Sequence, residues 1–121
     1  MNAIEVVETD LRRPEHQSAT LELLDAYARD PMGNGAPLPA EVRRQLIPGL
    51  REHPTTLVFL AYSEGVAIGL AVCFRGFSTF AAMPLTNIHD LVVLSTHRGQ
   101  GVGRRLSNRL RRRAGCWIAA N

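Results

Sequence analysis

Residues 87–106 read N-I-H-D-L-V-V-L-S-T-H-R-G-Q-G-V-G-R-R-L. Ile88 to Leu94 is of strand length and ends in the apolar Leu91-Val92-Val93-Leu94, which predicts a strand. Glycines at 99, 101 and 103 follow it. Gly101 to Ala114 then predicts a helix with Val102, Leu106 and Leu110 along its inner stripe. A helix start leaves backbone N–H groups unpaired and carries partial positive charge, so anions bind there. Glycine lacks the Cβ that would hold a phosphate away from the backbone. Arg98 and Arg104 add fixed positive charge on either side. Two familiar phosphate turns do not fit. A dinucleotide turn wants G-x-G-x-x-G with an acid about 20 residues on, and a nucleoside-triphosphate loop wants G-K-S/T. No acid follows the glycines here, and the chain has no Lys.

The elements around this stretch follow from patterning. Ala3 to Glu8 predicts a first strand. Pro14 to Arg29 predicts a helix with Pro in its first turn and Leu21, Leu24 and Ala28 on one face. Thr9 and Asp10 are its expected caps. Pro31 to Pro39 is a loop rich in Pro and Gly. Ala40 to His53 predicts a second helix, with Val42, Leu46 and Leu50 at fourfold spacing and a break or kink at Pro48-Gly49. Thr55 to Tyr62 and Val66 to Phe77 predict a hairpin turning at Ser63-Glu64-Gly65, with Gly69 marking a bulge. Ser78 to Thr86 is expected as a loop, and Cys116 to Ala120 as the start of one more strand. The order predicts one α+β domain over residues 1–121, with a mixed sheet flanked by helices.

Charge is unevenly placed. Residues 1–97 carry seven Arg against all eleven acids, while residues 98–121 carry seven Arg and no acid. A positive end points to an anionic partner. A nucleic-acid partner is not expected, because no aromatic platform accompanies the Arg stripe and the first 97 residues are net acidic. Cys73 and Cys116 have no metal spacing and apolar neighbours, so both are expected as buried free thiols. No metal site is expected. The N-terminus is too short and acidic for a signal peptide, and no apolar run reaches the roughly 18 residues of a membrane span. A cytoplasmic setting is the expectation. His16, His53 and His97 are expected at the surface.

Arg98, Gly101 and Gly103 make Arg-x-x-Gly-x-Gly, and with the strand before it and Leu106 after it this resembles the acetyl-CoA motif of the GNAT N-acetyltransferase family. Leu57 to Phe74 resembles the family's central hairpin. Residues 76–93, G-F-S-T-F-A-A-M-P-L-T-N-I-H-D-L-V-V, are similar to the branch that includes polyamine and thialysine acetyltransferases. The likeness spans roughly residues 3 to 116. It implies acetyl-CoA as co-substrate and direct acetyl transfer to the primary amine of a small, amino-acid-like or polyamine acceptor. It further implies that backbone groups of Leu91, Val92 and Val93 pair with the pantetheine arm. Arg98, Gly99, Gln100, Gly101, Val102, Gly103 and Arg104 would hold the pyrophosphate. A strand N–H near Val92 would polarise the thioester carbonyl.

An ammonium has no free lone pair, so a base is needed. The candidates are His89 and Asp90, which a regular strand would point to opposite faces. Phe77, Ser78, Thr79 and Phe80 are expected to line the acceptor pocket, with the loop from Asp30 to Gly35 as its other wall. The family's domain continues with a full fifth strand, a helix bearing Asn and often Tyr, and closing strands. This sequence stops at Trp117-Ile118-Ala119-Ala120-Asn121. The resemblance thus implies a fold lacking the last strands, with an open apolar edge. A homodimer, with or without strand exchange, would cover that edge. The alternative is a truncated, catalytically weak remnant that binds CoA or a partner chain.

Overall fold

A computed structural model of the chain describes residues 3–114 and 117–120. Five strands form one sheet in the order β1 (Ile4–Glu8), β2 (Thr56–Ser63), β3 (Val66–Ser78), β4 (Met83–Val93) and β5 (Trp117–Ala120). The first four run antiparallel to their neighbours, and β5 lies parallel to β4. The sheet is therefore mixed, as the element order predicts. Helices α1 (Pro14–Arg29) and α2 (Ala40–Glu52) precede β2, and α3 (Val102–Ala114) connects β4 to β5. A parallel neighbour needs such a crossover, which carries the chain back along the sheet.

Strand alternation sorts the core into two layers. Leu57, Phe59, Ile68, Ala71 and Cys73 pack on one face against Val102, Leu106 and Leu110 of α3. Val58, Leu60, Leu70, Val72 and Val92 pack on the other against Leu23, Leu24 and Leu50 of α1 and α2. A β-bulge falls beside Gly69, where Ala61 pairs with Gly69 and Tyr62 with Ala67. A Cβ on Gly69 would sit 2.8 Å from Val102 Cγ1, so glycine lets α3 lie close on the sheet.

Several expectations are corrected. The stretch from Ser78 to Thr86 is mostly sheet: Arg75 to Ser78 pair with Met83 to Thr86, and only residues 79–82 turn. Pro84 escapes a pattern search for strands, yet it lies beyond the β5 ladder, which starts at Leu85. A missing N–H is tolerated on such an edge. Helix α2 passes through Pro48 without ending, because Ile47 and Leu50 on either side are buried. His16 is buried, and its Nδ1 accepts the Asp10 N–H at 2.9 Å. The cap of α1 is Arg13, without a side-chain hydrogen bond; Asp10 instead accepts the Arg12 N–H at 3.0 Å. Cys73 is a buried free thiol; Cys116 lies outside the described residues. Among the described residues no helix is long and apolar enough to cross a membrane.

Candidate active site

Strand β4 delivers the chain to the helix start. Leu94 N–H donates to Ile68 O on β3 at 2.9 Å. On the opposite side, Val93 O accepts from Arg98 Nε at 3.2 Å. Backbone groups alternate sides along a strand, so Leu91 and Val93 turn theirs to the open edge and Val92 turns its own toward β3. The ladder to β5 covers Leu85 to Ile88 among the described residues, so this edge stays open beyond it.

A single 3₁₀ turn, Ser95–His97, then leads into the glycine turn. Gly99 and Gly101 have φ of 81° and 78°, a region that favours glycine. No heavy atom lies within 4 Å of where their Cβ atoms would stand. The turn thus presents bare backbone to open space, which fits a phosphate group approaching it. Arg105 N–H closes the first turn of α3 onto Gly101 O at 3.0 Å, and the helix donors ahead of it have no intrahelical acceptor. At Gly103 an added Cβ would make ordinary contact with Leu91 Cδ2 at 3.7 Å. Gln100 and Arg104 are exposed.

Arg98 is held within the protein. Its Nη2 meets Asp30 Oδ2 at 3.1 Å, and its Nε takes Val93 O. Asp30 Oδ1 also accepts the Met32 N–H at 2.9 Å. The Met32 N–H first, and then Arg98, hold the Asp30 carboxyl below the usual carboxylate range. Asp30 therefore ties the end of α1 to the glycine turn. Between them lies a cleft of about 300 Å³ whose walls include Tyr27, Asp30, Leu91 to Ser95 and Arg98.

A second bulge sits at the candidate bases. Val72 pairs with Asp90, and Cys73 pairs with Ile88, so His89 and Asp90 together oppose the space of one residue. The extra residue breaks strict alternation. Asp90 stands opposite Val72 on the α1/α2 face, lining a cavity with Leu24, Tyr27 and Leu46. The His89 ring meets Phe74 edge-on at 5.6 Å, and Phe74 belongs to that same layer. The expectation that the two point to opposite faces is thereby corrected. Burial raises the Asp90 carboxyl above its ordinary range, and the neighbouring His89 acts against that rise. Burial also pushes the Cys73 thiol up to about 12, so it holds no thiolate at neutral pH.

Phe77, Ser78, Thr79 and Phe80 lie elsewhere. They form the far end of the β3–β4 hairpin, where Phe77 pairs with Pro84. Phe77 is five residues from Val72, about 17 Å along an extended strand. They do not share a pocket with Asp30, which sits at the opposite end of β4. What the sequence reading missed is Tyr27, which lines both the cleft beside the glycine turn and the cavity at Asp90. Helical periodicity sets it beside the apolar face of Leu21, Leu24 and Ala28, in the last turn of α1 before Asp30-Pro31, which does not by itself distinguish a core residue from a site residue. Among the described residues no group of three or more His, Cys, Asp or Glu is arranged to hold a metal.

Comparison with known proteins places this fold. The chain aligns along 98% of its length with ribosomal-protein-alanine N-acetyltransferase from Brucella melitensis biovar Abortus 2308, at 17% identity and TM-score 0.74, covering 79% of that chain. It aligns in full with the aminoglycoside N-acetyltransferase AAC(6')-Iy in complex with CoA, at 17% identity and TM-score 0.77, covering 78% of that chain. A GNAT family acetyltransferase from Staphylococcus aureus matches at 21% identity and TM-score 0.75, with 100% of this chain and 87% of that one covered. No curated protein matches the sequence significantly. The sequence profile of the Acetyltransferase (GNAT) family matches residues 19–120. With a strand, glycine turn and helix start inside that match, the chain belongs to the GNAT family and is by that membership an acetyl-CoA-dependent N-acetyltransferase.

Proposed function

We propose that this chain transfers an acetyl group from acetyl-CoA directly to the primary amine of a small molecule. The observation that carries the reading is a juxtaposition at one end of β4. A half-buried carboxylate, an open strand edge and a glycine-rich helix start meet there. The bound thioester supplies an activated acetyl group. The backbone N–H groups from Gly99 to Gly103, with Gln100, Val102 and Arg104, hold the pyrophosphate. Arg98 fixes the shape of that turn through Asp30 and Val93. The open-edge groups of Leu91 and Val93 pair with the pantetheine arm, and one of their N–H groups donates to the thioester carbonyl oxygen. Val92 keeps the strand in register. Asp90 takes the proton from the acceptor's ammonium, and its raised pKa brings it closer to a working base. The freed amine attacks the thioester carbonyl carbon, the C–S bond breaks, and CoA leaves as a thiolate that takes a proton from solvent. His89, on the same face, is the second candidate for that proton.

Transfer proceeds without an acyl-enzyme, in keeping with a thiol at Cys73 that burial keeps protonated. A cytoplasmic setting and a homodimer formed along the β5 side of the sheet complete the reading; a monomer in light scattering at micromolar concentration would remove the dimer. The central test is calorimetry with acetyl-CoA. The wild type is expected to bind, and Gly101→Glu to bind at least tenfold more weakly, since it places a carboxylate where phosphate belongs. Absence of binding by the wild type, or equal binding by the variant, overturns the reading.

A further inference from the structure

A second cavity along α2 lies beside the cavity at Asp90. The first, about 380 Å³, and the second, about 550 Å³, share Val42 and Leu46. Both volumes fall in the small-molecule range of about 300–1,000 Å³. Helix α2 carries Val42, Leu46 and Leu50 as an apolar stripe, but only Leu50 is buried in the core. Val42 is 43% exposed and Leu46 is half-buried, and both face the groove. The second cavity also takes in Phe74, whose ring lies edge-on between His53 at 4.9 Å and His89 at 5.6 Å.

Charge in this groove is concentrated at one end. Among its described lining residues Asp90 is the one acid. The neighbouring acids are matched elsewhere: Asp25 with Arg29 and Arg43, Glu22 with Arg43, Asp30 with Arg98, and Glu41 with Arg44. One cation therefore finds a counter-charge at Asp90. A second cation further along would meet Val42, Leu46 and Phe74 and no lining carboxylate, and giving up part of its water there is unfavourable.

We infer that the acceptor is a monoamine with an apolar body, an alkyl- or arylalkylamine, with its ammonium at Asp90 and its body along Val42, Leu46 and Phe74. A polyamine or aminoglycoside is disfavoured by the same walls. This rests on the transferase reading above and narrows its substrate class.

A matched pair of acceptors tests it: hexylamine and 1,6-diaminohexane share one chain and differ in a second ammonium. With acetyl-CoA at pH 8, kcat/KM is expected to be at least tenfold higher for hexylamine. Gln45→Glu adds a carboxylate at an exposed position of the far wall and is expected to narrow that ratio several-fold. Equal use of the two amines, preference for the diamine, or an unchanged ratio in Gln45→Glu overturns the assignment. Transfer to the diamine or to spermidine alone would leave the transferase standing and remove only the monoamine groove. Binding of acetyl-CoA with no transfer to any of these amines would overturn both.

Discussion

The two faces of the sheet are built to different standards. Under α3, Val102, Leu106 and Leu110 are buried and close against Phe59 and Ile68. Arg109 lies over the Phe59 ring at 5.3 Å, and Arg113 Nε reaches Glu8 at 2.8 Å, so even the charged flank of α3 is fastened down. Under α1 and α2 the packing is incomplete. Leu24, Leu50 and Val72 are buried, but Val42, Leu46, Tyr27 and Asp90 border open space. One face spends its apolar residues on cohesion, and the other leaves some of them for a ligand. The lesson is that an apolar stripe in a sequence does not by itself say whether protein or substrate will cover it.

Breaking the closed face has the largest effect. Leu106→Ala empties a fully buried position and is expected to cost about 2–5 kcal/mol of stability, read from urea unfolding midpoints. Asp90→Asn attacks the open face. It is expected to lower kcat/KM about 100-fold or more while leaving acetyl-CoA binding in place. Its pH profile sharpens the assignment. Burial raises the Asp90 pKa in the folded protein, so the fold favours the protonated form. Stability contributed by Asp90 is full below its unfolded pKa and is lost as pH rises through the folded value. Activity should move the other way, rising with pH as the carboxylate forms. Asp90→Asn should flatten that acid limb, and an unchanged limb would remove Asp90 as the base.

Gly69→Ala lies between these cases in kind. Its Cβ would stand 2.8 Å from Val102 Cγ1 and 3.3 Å from Leu106 Cδ1. Pushing α3 outward is expected to cost about 1–3 kcal/mol, measured in the same unfolding experiment. The smallest effect on folding is expected at Val42→Ala, within about 0.5 kcal/mol, because that side chain is already half in solvent. If Val42→Ala destabilises as much as Leu106→Ala, the distinction between the two faces fails.

Much of this was legible in sequence where a local rule dictates the structure. The stripe Val102, Leu106, Leu110 and the α1 bounds Pro14–Arg29 follow from helical periodicity and a first-turn Pro. The glycine turn could be read because positive φ and bare backbone leave a residue-type signature. What was hidden depends on pairing between distant strands. The length of β4 is set by its ladder to β3, and Pro84 conceals it. The bulge at His89 and Asp90 leaves no compositional trace, so strict alternation gave the wrong facing. The Asp30–Arg98 contact joins residues 68 apart in the chain, which no local pattern reports.

The bulge in β4 also makes that strand editable in one place. Removing a residue from a paired strand ordinarily flips every later side chain to the wrong face. Ile88 pairs with Cys73 and Asp90 with Val72, which are themselves consecutive on β3. Excising His89 would therefore join two stretches already in step, with Leu91 to Val93 keeping their partners. The register of the sheet therefore places no demand on the residue at position 89.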